Sequence, residues 1–328
     1  MGRMRASRVV EKHRIVCEQV EQVPPQAGEV IVRTNWAAIC GSDVHVVHSG
    51  VPLQDSAFRP GAPGHEGIGT VAESTVEGFR EGELVLTVPV GDNRTGTFAD
   101  YMTMKSKYLV KIPETDIPQE QLLMAQQFGT TIFSLRQRPV DVVGKTVMVM
   151  GQGSAGCFFA YSLKRAGAAQ VIVSDKSEAR MAISRHFGAD VVVKAEGNNV
   201  YEAVMDHTGG QGVHYLVEAV GSSEALAESI GLIRVGGDGL YFGQPDTTEL
   251  VPFNFHDFQR RQLTINATRG TQQEQDLVSF KQALHLILTR QIDVSPLISH
   301  VFPLDQIEEA MAHATELERN ARKVAFRF

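Results

Sequence analysis

Short runs in which apolar and polar residues alternate fill the first third of the chain, from residue 29 to about residue 110. They include EVIVRT, GIGTVAES, ELVLTV, FADYMTM and YLVKI, and Gly or Pro separates them. A period of two is typical of half-buried strands, and Gly and Pro end such strands. The pattern predicts a compact β-rich domain in this part of the chain.

A different pattern follows the helical stretch QEQLLMAQQFGTTIFSLRQ: apolar strands alternate with helices. Strands are predicted at 147–150, 171–174 and 191–193, with helices over 154–166 and EARMAISRHF, and further strands in YLVEAV, GLYFG and LTINAT. Right-handed crossovers between parallel strands place helices on both faces of a sheet. This half therefore predicts a doubly wound parallel sheet of the Rossmann type, and the fold class is α/β.

The composition excludes several classes of protein. The chain has 328 residues, of which 43% are hydrophobic and 21% charged, as expected for globular domains. The net charge is −7 and Lys and Arg are not clustered, so no nucleic-acid partner is expected. No apolar segment is long enough for a signal peptide or a membrane span, and the three cysteines are scattered, so we expect a reducing, cytoplasmic location and no membrane partner.

The first candidate functional site is a metal site. Cys40 opens CGSDVH, and His65 and Glu66 lie in GHEG. Taken singly, the cysteine fits a buried apolar residue and the histidine a loop residue with satisfied hydrogen bonds. Together, a thiolate, an imidazole and a carboxylate form a ligand set suited to Zn²⁺.

The second candidate is a dinucleotide site. The strand VMVM is followed directly by a GxGxxG pattern, made of Gly151, Gly153 and Gly156. In this setting the first glycine permits the turn, the second lets the backbone approach a pyrophosphate, and the third lets helix and strand pack closely. The helix N-terminus at Ser154 and Ala155 attracts the negative charge.

Asp175 follows VIVS at the spacing expected for a carboxylate that binds the adenosine ribose. Its charge would repel a 2′-phosphate, so NAD is expected rather than NADP. Lys176 and Arg180 lie close by in sequence and could soften that preference. The simpler interpretation places Arg180 near the adenine and Lys176 in solvent.

These motifs together resemble the zinc-dependent medium-chain dehydrogenase/reductase family, which includes alcohol, sorbitol and threonine dehydrogenases. The resemblance covers NWAAICGSDVH, PGHEGIGTVAE, GTFADYM, VMVMGQGSAG, VEAVG and SPLISHVFPLDQIEEAM. It implies a GroES-like catalytic domain of residues 1–122 and 271–328 and a Rossmann NAD-binding domain of residues 123–270. The stretch VPVGDNRTGTFADY lacks the four cysteines that hold a structural zinc in many relatives, so one zinc per chain is expected.

The resemblance also assigns roles around the metal. Asp43 matches a carboxylate that orients the liganding histidine. Ser42 matches a hydroxyl that hydrogen-bonds the substrate alcohol, and His45 matches an imidazole that passes the proton outward. A turn-capping serine and an exposed loop histidine are the alternatives for these two residues.

Gln126 departs from the family pattern, because relatives often have Glu at this position. An amide is a weak neutral ligand for zinc, so we expect Cys40, His65 and Glu66 to hold the metal, with water in the fourth position. Gln126 as a further ligand and Gln126 as an amide on a helix surface remain open alternatives.

At the nicotinamide end, the resemblance implicates four residues, Thr130, Val220, Phe242 and Gly243. Core packing is the alternative for Val220 and Phe242. Lys323 matches a basic residue that reaches the pyrophosphate from the returning C-terminal strand.

The resemblance implies reversible oxidation of a small secondary or primary alcohol or polyol, with hydride transfer to NAD, by a homodimer or homotetramer. Two other functions remain open, a zinc-free quinone or enoyl reductase of the same fold and a non-catalytic dinucleotide-binding protein. The presence of Asp43 together with the three metal-ligand candidates argues against the first of these.

Overall fold

The computed structural model describes residues 2–48, 59–88, 93–245, 247, 249–269, 271 and 274–328. Its strands are β1 (Arg3–Glu11), β2 (Arg14–Glu21), β3 (Glu29–Ala38), β4 (Glu66–Ser74), β5 (Leu84–Thr87), β6 (Tyr101–Lys105), β7 (Leu109–Lys111), β8 (Thr146–Met150), β9 (Gln170–Asp175), β10 (Val191–Lys194), β11 (Val213–Glu218), β12 (Ile233–Tyr241), β13 (Thr264–Ala267), β14 (Ile298–Phe302) and β15 (Lys323–Arg327). Its α-helices are α1 (Gly41–His48), α2 (Gln119–Leu123), α3 (Ala125–Gln137), α4 (Ser154–Arg165), α5 (Glu178–Ser184), α6 (Asn199–Thr208), α7 (Ser223–Leu232), α8 (Phe255–Arg260), α9 (Val278–Leu288) and α10 (Ile307–Thr315). Short 3₁₀ turns lie at Ser106–Tyr108, Arg185–Phe187, Gln275–Leu277, Leu304–Gln306 and Leu317–Arg319.

The chain divides into two compact units, Met1–Thr130 with Gln272–Phe328 and Thr131–Thr271. The sequence placed the boundaries at 122/123 and 270/271, so the first of them lies eight residues further along the chain, inside α3. No described helix combines the length and the apolar character that crossing a membrane requires.

The first unit is built on a seven-stranded sheet in the order β14-β15-β3-β4-β5-β7, with β6 pairing on β3 as well. The register determines what lies at one end of this sheet. Ala38, the last residue of β3, pairs with Glu66 on one side and with Ala325 on the other. The chain beyond β3, the start of β4 and the start of β15 therefore meet at the same place.

One face of this sheet packs on α10 through an apolar core. Phe98 and Phe326 make an edge-to-face contact there with ring centroids 5.0 Å apart, and Ile307 and Met311 of α10 belong to the same cluster. Strands β1 and β2 form a separate two-stranded sheet, which the sequence analysis did not predict. Phe98 is wholly buried, which makes it a core residue.

The second unit is a six-stranded parallel sheet in the order β10-β9-β8-β11-β12-β13. Its central strands are apolar on both faces, as expected when helices cover both sides of a parallel sheet. The strand order reverses between β8 and β11, and ligands bind at the carboxyl ends of the strands at such a point. The predicted fold class is confirmed.

Two local predictions need correction. The stretch QEQLLMAQQFGTTIFSLRQ forms two helices, α2 and α3, because Met124 donates its N–H to Gln121 three residues back and so tightens the chain between them. The alternative of an exposed loop histidine for His45 is wrong, because Gly41–His48 form α1 and His45 is only partly exposed.

Candidate functional site

Asp43 organises the residues that follow β3. It lies on α1 with 1% of its surface exposed, and its Oδ2 accepts the backbone N–H of Cys40 at 2.8 Å. Its Oδ1 lies 2.8 Å from His65 Nδ1. Burial raises the pKa of Asp43, although the neighbouring imidazole acts in the opposite direction. One carboxylate thus fixes both the start of α1 and the ring of His65.

The contact with Asp43 determines how His65 presents its second ring nitrogen. Since Nδ1 is held by Asp43, Nε2 faces Ser42, whose Oγ lies 3.3 Å away. Burial disfavours the charged ring, but Asp43 and Cys40 outweigh it and raise the pKa of His65 well above its ordinary value. A histidine whose Nδ1 is held by a carboxylate is arranged as metal-binding histidines are.

Cys40, His65 and Glu66 form a group that could hold a metal ion. Each offers one donor atom, and these atoms lie within 4.8 Å of one another. The ligand atoms of a tetrahedral zinc ion lie about 3.5 Å apart, so small movements of the three side chains would bring their donor atoms to that spacing. The Oε1 atom of Glu66 is buried and has no hydrogen-bond partner among the described residues, which leaves it available to a metal. The residues present therefore fit Zn²⁺.

Lys323 lies beside this group. Its Nζ is 2.6 Å from Glu66 Oε2, and the two side chains are 3% and 1% exposed. Burial lowers the pKa of Lys323, but Glu66, Cys40 and Asp43 together outweigh burial and the net shift is upward. The sequence analysis assigned Lys323 to the pyrophosphate; the structure gives it a different partner, because β15 pairs with β3 and brings its first residue next to the start of β4.

Of the two adjacent glutamines on α3, Gln127 makes hydrogen bonds to this group. Its Nε2 lies 3.9 Å from Cys40 Sγ, and its Oε1 accepts a hydrogen bond from Lys323 Nζ at 3.3 Å. Gln126 is 2% exposed, so the interpretation as a helix-surface amide is wrong. Adjacent residues of a helix point about 100° apart, which explains why the two amides have different surroundings.

The two proposed proton-relay residues share a helix. Ser42 and His45 lie on α1 three residues apart, a spacing that places side chains on the same face. His45 is partly exposed. The arrangement is compatible with the predicted path from the metal group outward, and their roles remain predictions.

The glycine-rich loop after β8 has the conformation that a phosphate-binding turn requires. Gly151 has φ of +87°, which favours glycine. A Cβ at Gly156 would collide with the carbonyl oxygen of Gly151, so α4 packs against the turn only because this residue is glycine. Gly153 precedes the first residue of α4, and a Cβ there would meet no atom within 4 Å, which leaves open space for a ligand. These features fit a dinucleotide.

Asp175, the last residue of β9, is held against this loop. Its Oδ2 accepts the N–H of Gln152 at 2.6 Å, and its Oδ1 accepts the N–H of Ser177 at 2.7 Å. Ser177 in turn caps α5 by accepting the N–H of Arg180. Lys176 is exposed, with Nζ 4.0 Å from Glu224. The carboxylate thus lies at the carboxyl edge of the sheet in a fixed orientation.

The residues assigned to the nicotinamide end differ in their surroundings. Val220 is 50% exposed, so core packing does not account for it. Phe242 packs edge to face on Phe159 with centroids 4.9 Å apart, which supports the core alternative for this residue. Gly243 lies beside Glu218. Thr130 donates its hydroxyl to the backbone oxygen of Gln126 at 3.2 Å.

The sequence analysis did not single out two residues of these sites, Gln127 and Glu218. Gln127 stands next to a residue that was considered, and no pattern distinguishes the two. Glu218 lies inside VEAVG, and a carboxylate at the end of a buried apolar strand was the signal that could have identified it.

The chain matches two protein-family models. Residues 26–114 match the alcohol dehydrogenase GroES-like domain, and residues 154–288 match the zinc-binding dehydrogenase domain. The L-threonine 3-dehydrogenase of Deinococcus deserti is 26% identical over 315 residues, which cover 88% of this chain and 89% of the relative.

Solved structures agree with the fold. The structure of 2R,3R-butanediol dehydrogenase from Bacillus subtilis has a TM-score of 0.84 at 22% identity, with 99% of each chain covered. A zinc-binding dehydrogenase from Sinorhizobium meliloti, bound to NADP, has a TM-score of 0.86 at 21% identity, with 100% of each chain covered.

The chain belongs to the zinc-type medium-chain dehydrogenase family. This confirms the predicted family and the predicted class of enzyme, an oxidoreductase that acts on CH–OH groups. It also supports zinc and a nicotinamide dinucleotide as the cofactors, without separating NAD from NADP.

Proposed function

We propose that this protein oxidises a small secondary alcohol or polyol with NAD⁺, using one Zn²⁺ held by Cys40, His65 and Glu66. The observation that carries the proposal is the convergence of these three donors, with Asp43 holding the far nitrogen of the imidazole. Sulfur, nitrogen and oxygen donors with a remaining open position are typical of catalytic zinc.

A Zn²⁺ ion held by these three residues would supply Lewis-acid polarisation of the substrate oxygen. The protein residues handle the proton. Ser42 lies 3.3 Å from His65 Nε2 and so stands where it can accept a hydrogen bond from the substrate hydroxyl. His45, three residues further on α1, passes the proton outward, a task suited to an imidazole side chain.

Lys323 adds positive charge to the proposed zinc site. The Cys40 thiolate and the Glu66 carboxylate together cancel the charge of a divalent cation, and the buried ammonium 2.6 Å from Glu66 restores one positive charge. Positive charge at the site favours the deprotonated form of the alcohol. Glu66 can serve both neighbours, because Oε2 faces Lys323 and Oε1 has no described partner.

If Glu66 is a ligand and Gln126 is not, substitutions of these two residues are expected to change zinc affinity to different extents. Glu66→Gln is expected to weaken zinc binding roughly 100-fold or more, since it replaces an anionic ligand by a weak neutral one. Gln126→Ala is expected to change zinc affinity by less than about threefold. Competition with a chromophoric chelator measures both, with thermal melting as a check on folding. Equal zinc loss in the two variants would contradict the assignment.

The cofactor is proposed to be NAD, because the Asp175 carboxylate would repel a 2′-phosphate. Replacing Asp175 by alanine is expected to raise kcat/KM with NADP⁺ about tenfold relative to that with NAD⁺, which corresponds to about 1.4 kcal/mol. Steady-state kinetics with both cofactors tests this, and Asp141→Ala serves as the control because that carboxylate is 70% exposed beside Lys145. An unchanged ratio in the Asp175 variant refutes the role.

The substrate class is proposed from the relatives. Threonine and 2,3-butanediol, on which the two named dehydrogenases act, both carry a CH₃–CH(OH) group. The test is NADH formation by zinc-analysed protein with L-threonine, 2,3-butanediol and a series of polyols. Turnover that requires zinc supports the proposal; protein that cannot be loaded with zinc but binds NADH favours a zinc-free reductase or a non-catalytic binding protein.

We also propose a homo-oligomer in the cytoplasm. The family resemblance implies a homodimer or a homotetramer, and size-exclusion chromatography with light scattering measures which of the two forms in solution.

A further inference from the structure

Glu218 is a buried carboxylate at the carboxyl edge of the parallel sheet. It is the last residue of β11, pairs in register with Met150 of β8 and Tyr241 of β12, and is 0% exposed. Burial raises the pKa of Glu218. A carboxyl group in such a place is costly unless hydrogen bonds hold it, so its partners reveal its role.

Four backbone N–H groups converge on this one residue. Its side-chain Oε1 accepts those of Val220 at 2.7 Å and Gly221 at 2.8 Å. Its backbone oxygen accepts those of Phe242 at 2.9 Å and Gly243 at 3.0 Å. The first two lie in the loop after β11 and the other two in the loop after β12, so Glu218 ties the two loops together.

The two loops also interlock through their backbones. A Cβ on Gly221 would collide with the carbonyl oxygen of Gln244, and a Cβ on Gly243 would collide with the N–H of Gly221 and lie 2.7 Å from Glu218 Oε2. Gly221 has φ of +87°. Only glycine fits at both positions, and the close approach leaves the loops little freedom to move independently.

These contacts determine where Val220 lies. Its side chain is half exposed, and its Cγ2 would be 3.0 Å from a Cβ placed on Gly151, the first glycine of the phosphate-binding turn. An exposed apolar side chain beside that turn can cover one face of a flat ring that extends from a bound dinucleotide. The position of that apolar surface depends on the hydrogen bonds to Glu218.

We infer that Glu218 is a positioning residue for the nicotinamide end of the cofactor, which fixes the loop carrying Val220 against the loop carrying Gly243. The inference rests on the proposed function, because it needs a nicotinamide dinucleotide in this site. It goes beyond that function by assigning a role to a residue that is neither a proposed metal ligand nor part of the glycine turn.

Binding of two related ligands separates positioning from general stability. NADH carries the nicotinamide ring and ADP-ribose lacks it, while both carry the adenosine and the pyrophosphate. Replacing Glu218 by alanine is expected to raise the Kd of NADH about tenfold, since the N–H groups of Val220 and Gly221 lose their acceptor, and to change the Kd of ADP-ribose less than about twofold. Isothermal titration calorimetry of the full chain measures both.

Two further variants complete the experiment. Glu218→Gln keeps a carbonyl oxygen for the same two N–H groups and is expected to bind NADH within about threefold of the unsubstituted protein. Ser229→Ala removes a different hydrogen bond in the same unit, between the hydroxyl oxygens of Ser229 and Tyr241, which lie 2.8 Å apart, and is expected to leave the binding of both ligands unaffected.

The outcomes separate the two claims. Unchanged NADH binding in Glu218→Ala, or equal loss of NADH and ADP-ribose, overturns the positioning role. An equally large loss of NADH binding in Glu218→Gln and Glu218→Ala also overturns it. The side-chain oxygen that accepts the two N–H groups would then make no difference to NADH binding. If the unsubstituted protein binds ADP-ribose and not NADH, the proposed function fails, and this inference fails with it.

Discussion

Replacing Cys40 by serine is expected to remove zinc from the protein and to lower kcat/KM by roughly a thousandfold or more. A serine hydroxyl is not ionised at neutral pH and replaces the only sulfur donor of the group. A catalytic metal contributes several kcal/mol of charge stabilisation, and about 1.4 kcal/mol corresponds to a tenfold change in rate. Elemental analysis and steady-state kinetics on the same preparation measure the two effects.

Cys17 provides the matched control. It lies on β2 in the same unit, is half buried, packs against the α10 core, and is not one of the three proposed ligands. Cys17→Ala is expected to keep full zinc content and kcat/KM within about threefold. If Cys40→Ser retained zinc as Cys17→Ala does, Cys40 would not be a ligand.

Replacing Lys323 by methionine is expected to destabilise the metal-free protein by about 3–5 kcal/mol, because it leaves the buried Glu66 carboxylate without its partner. Zinc binding is expected to restore part of the lost stability, since a cation bound to Oε1 of Glu66 would neutralise the carboxylate that has lost its lysine partner. Urea unfolding with and without zinc measures the difference. Zinc should therefore stabilise the variant more than it stabilises the unsubstituted protein.

The control for this change is Lys111→Met. Lys111 also pairs with a glutamate at short distance, 2.7 Å from Glu83, but the two side chains are 45% and 30% exposed. Exposed pairs contribute at most about 1 kcal/mol, and the zinc dependence should be unaltered. Equal destabilisation in the two lysine variants, or equal stabilisation by zinc, would show that Lys323 and the metal do not share Glu66.

The glycine-rich turn and the alternation of strands and helices could be predicted from the sequence, because both depend on residues that are close together in the chain. The turn after β8 needs glycine at 151 and 156 for steric reasons that act over a few residues, so the pattern is readable from the chain alone. The alternation of strands and helices in the second unit likewise follows from local hydrophobic periodicity. The contact of Asp43 with His65 was expected from the family resemblance and is present in the structure.

Features that depend on long-range pairing could not be predicted. Lys323 meets Glu66 because β15 pairs with β3 across almost 290 positions of sequence, a register that no local pattern encodes. The choice of Gln127 over Gln126 depends on the rotation of α3, where one residue changes the direction of a side chain by about 100°. Glu218 gains its role from two loops that are adjacent only in the folded sheet.

X-ray absorption at the zinc edge tests the central claim most directly, because it reports the identity and distance of the atoms around the metal. We expect about one zinc per chain, with one sulfur at about 2.3 Å and nitrogen or oxygen donors at about 2.0–2.2 Å. Protein that retains no zinc, or zinc with no sulfur neighbour, would contradict the site built from Cys40, His65 and Glu66.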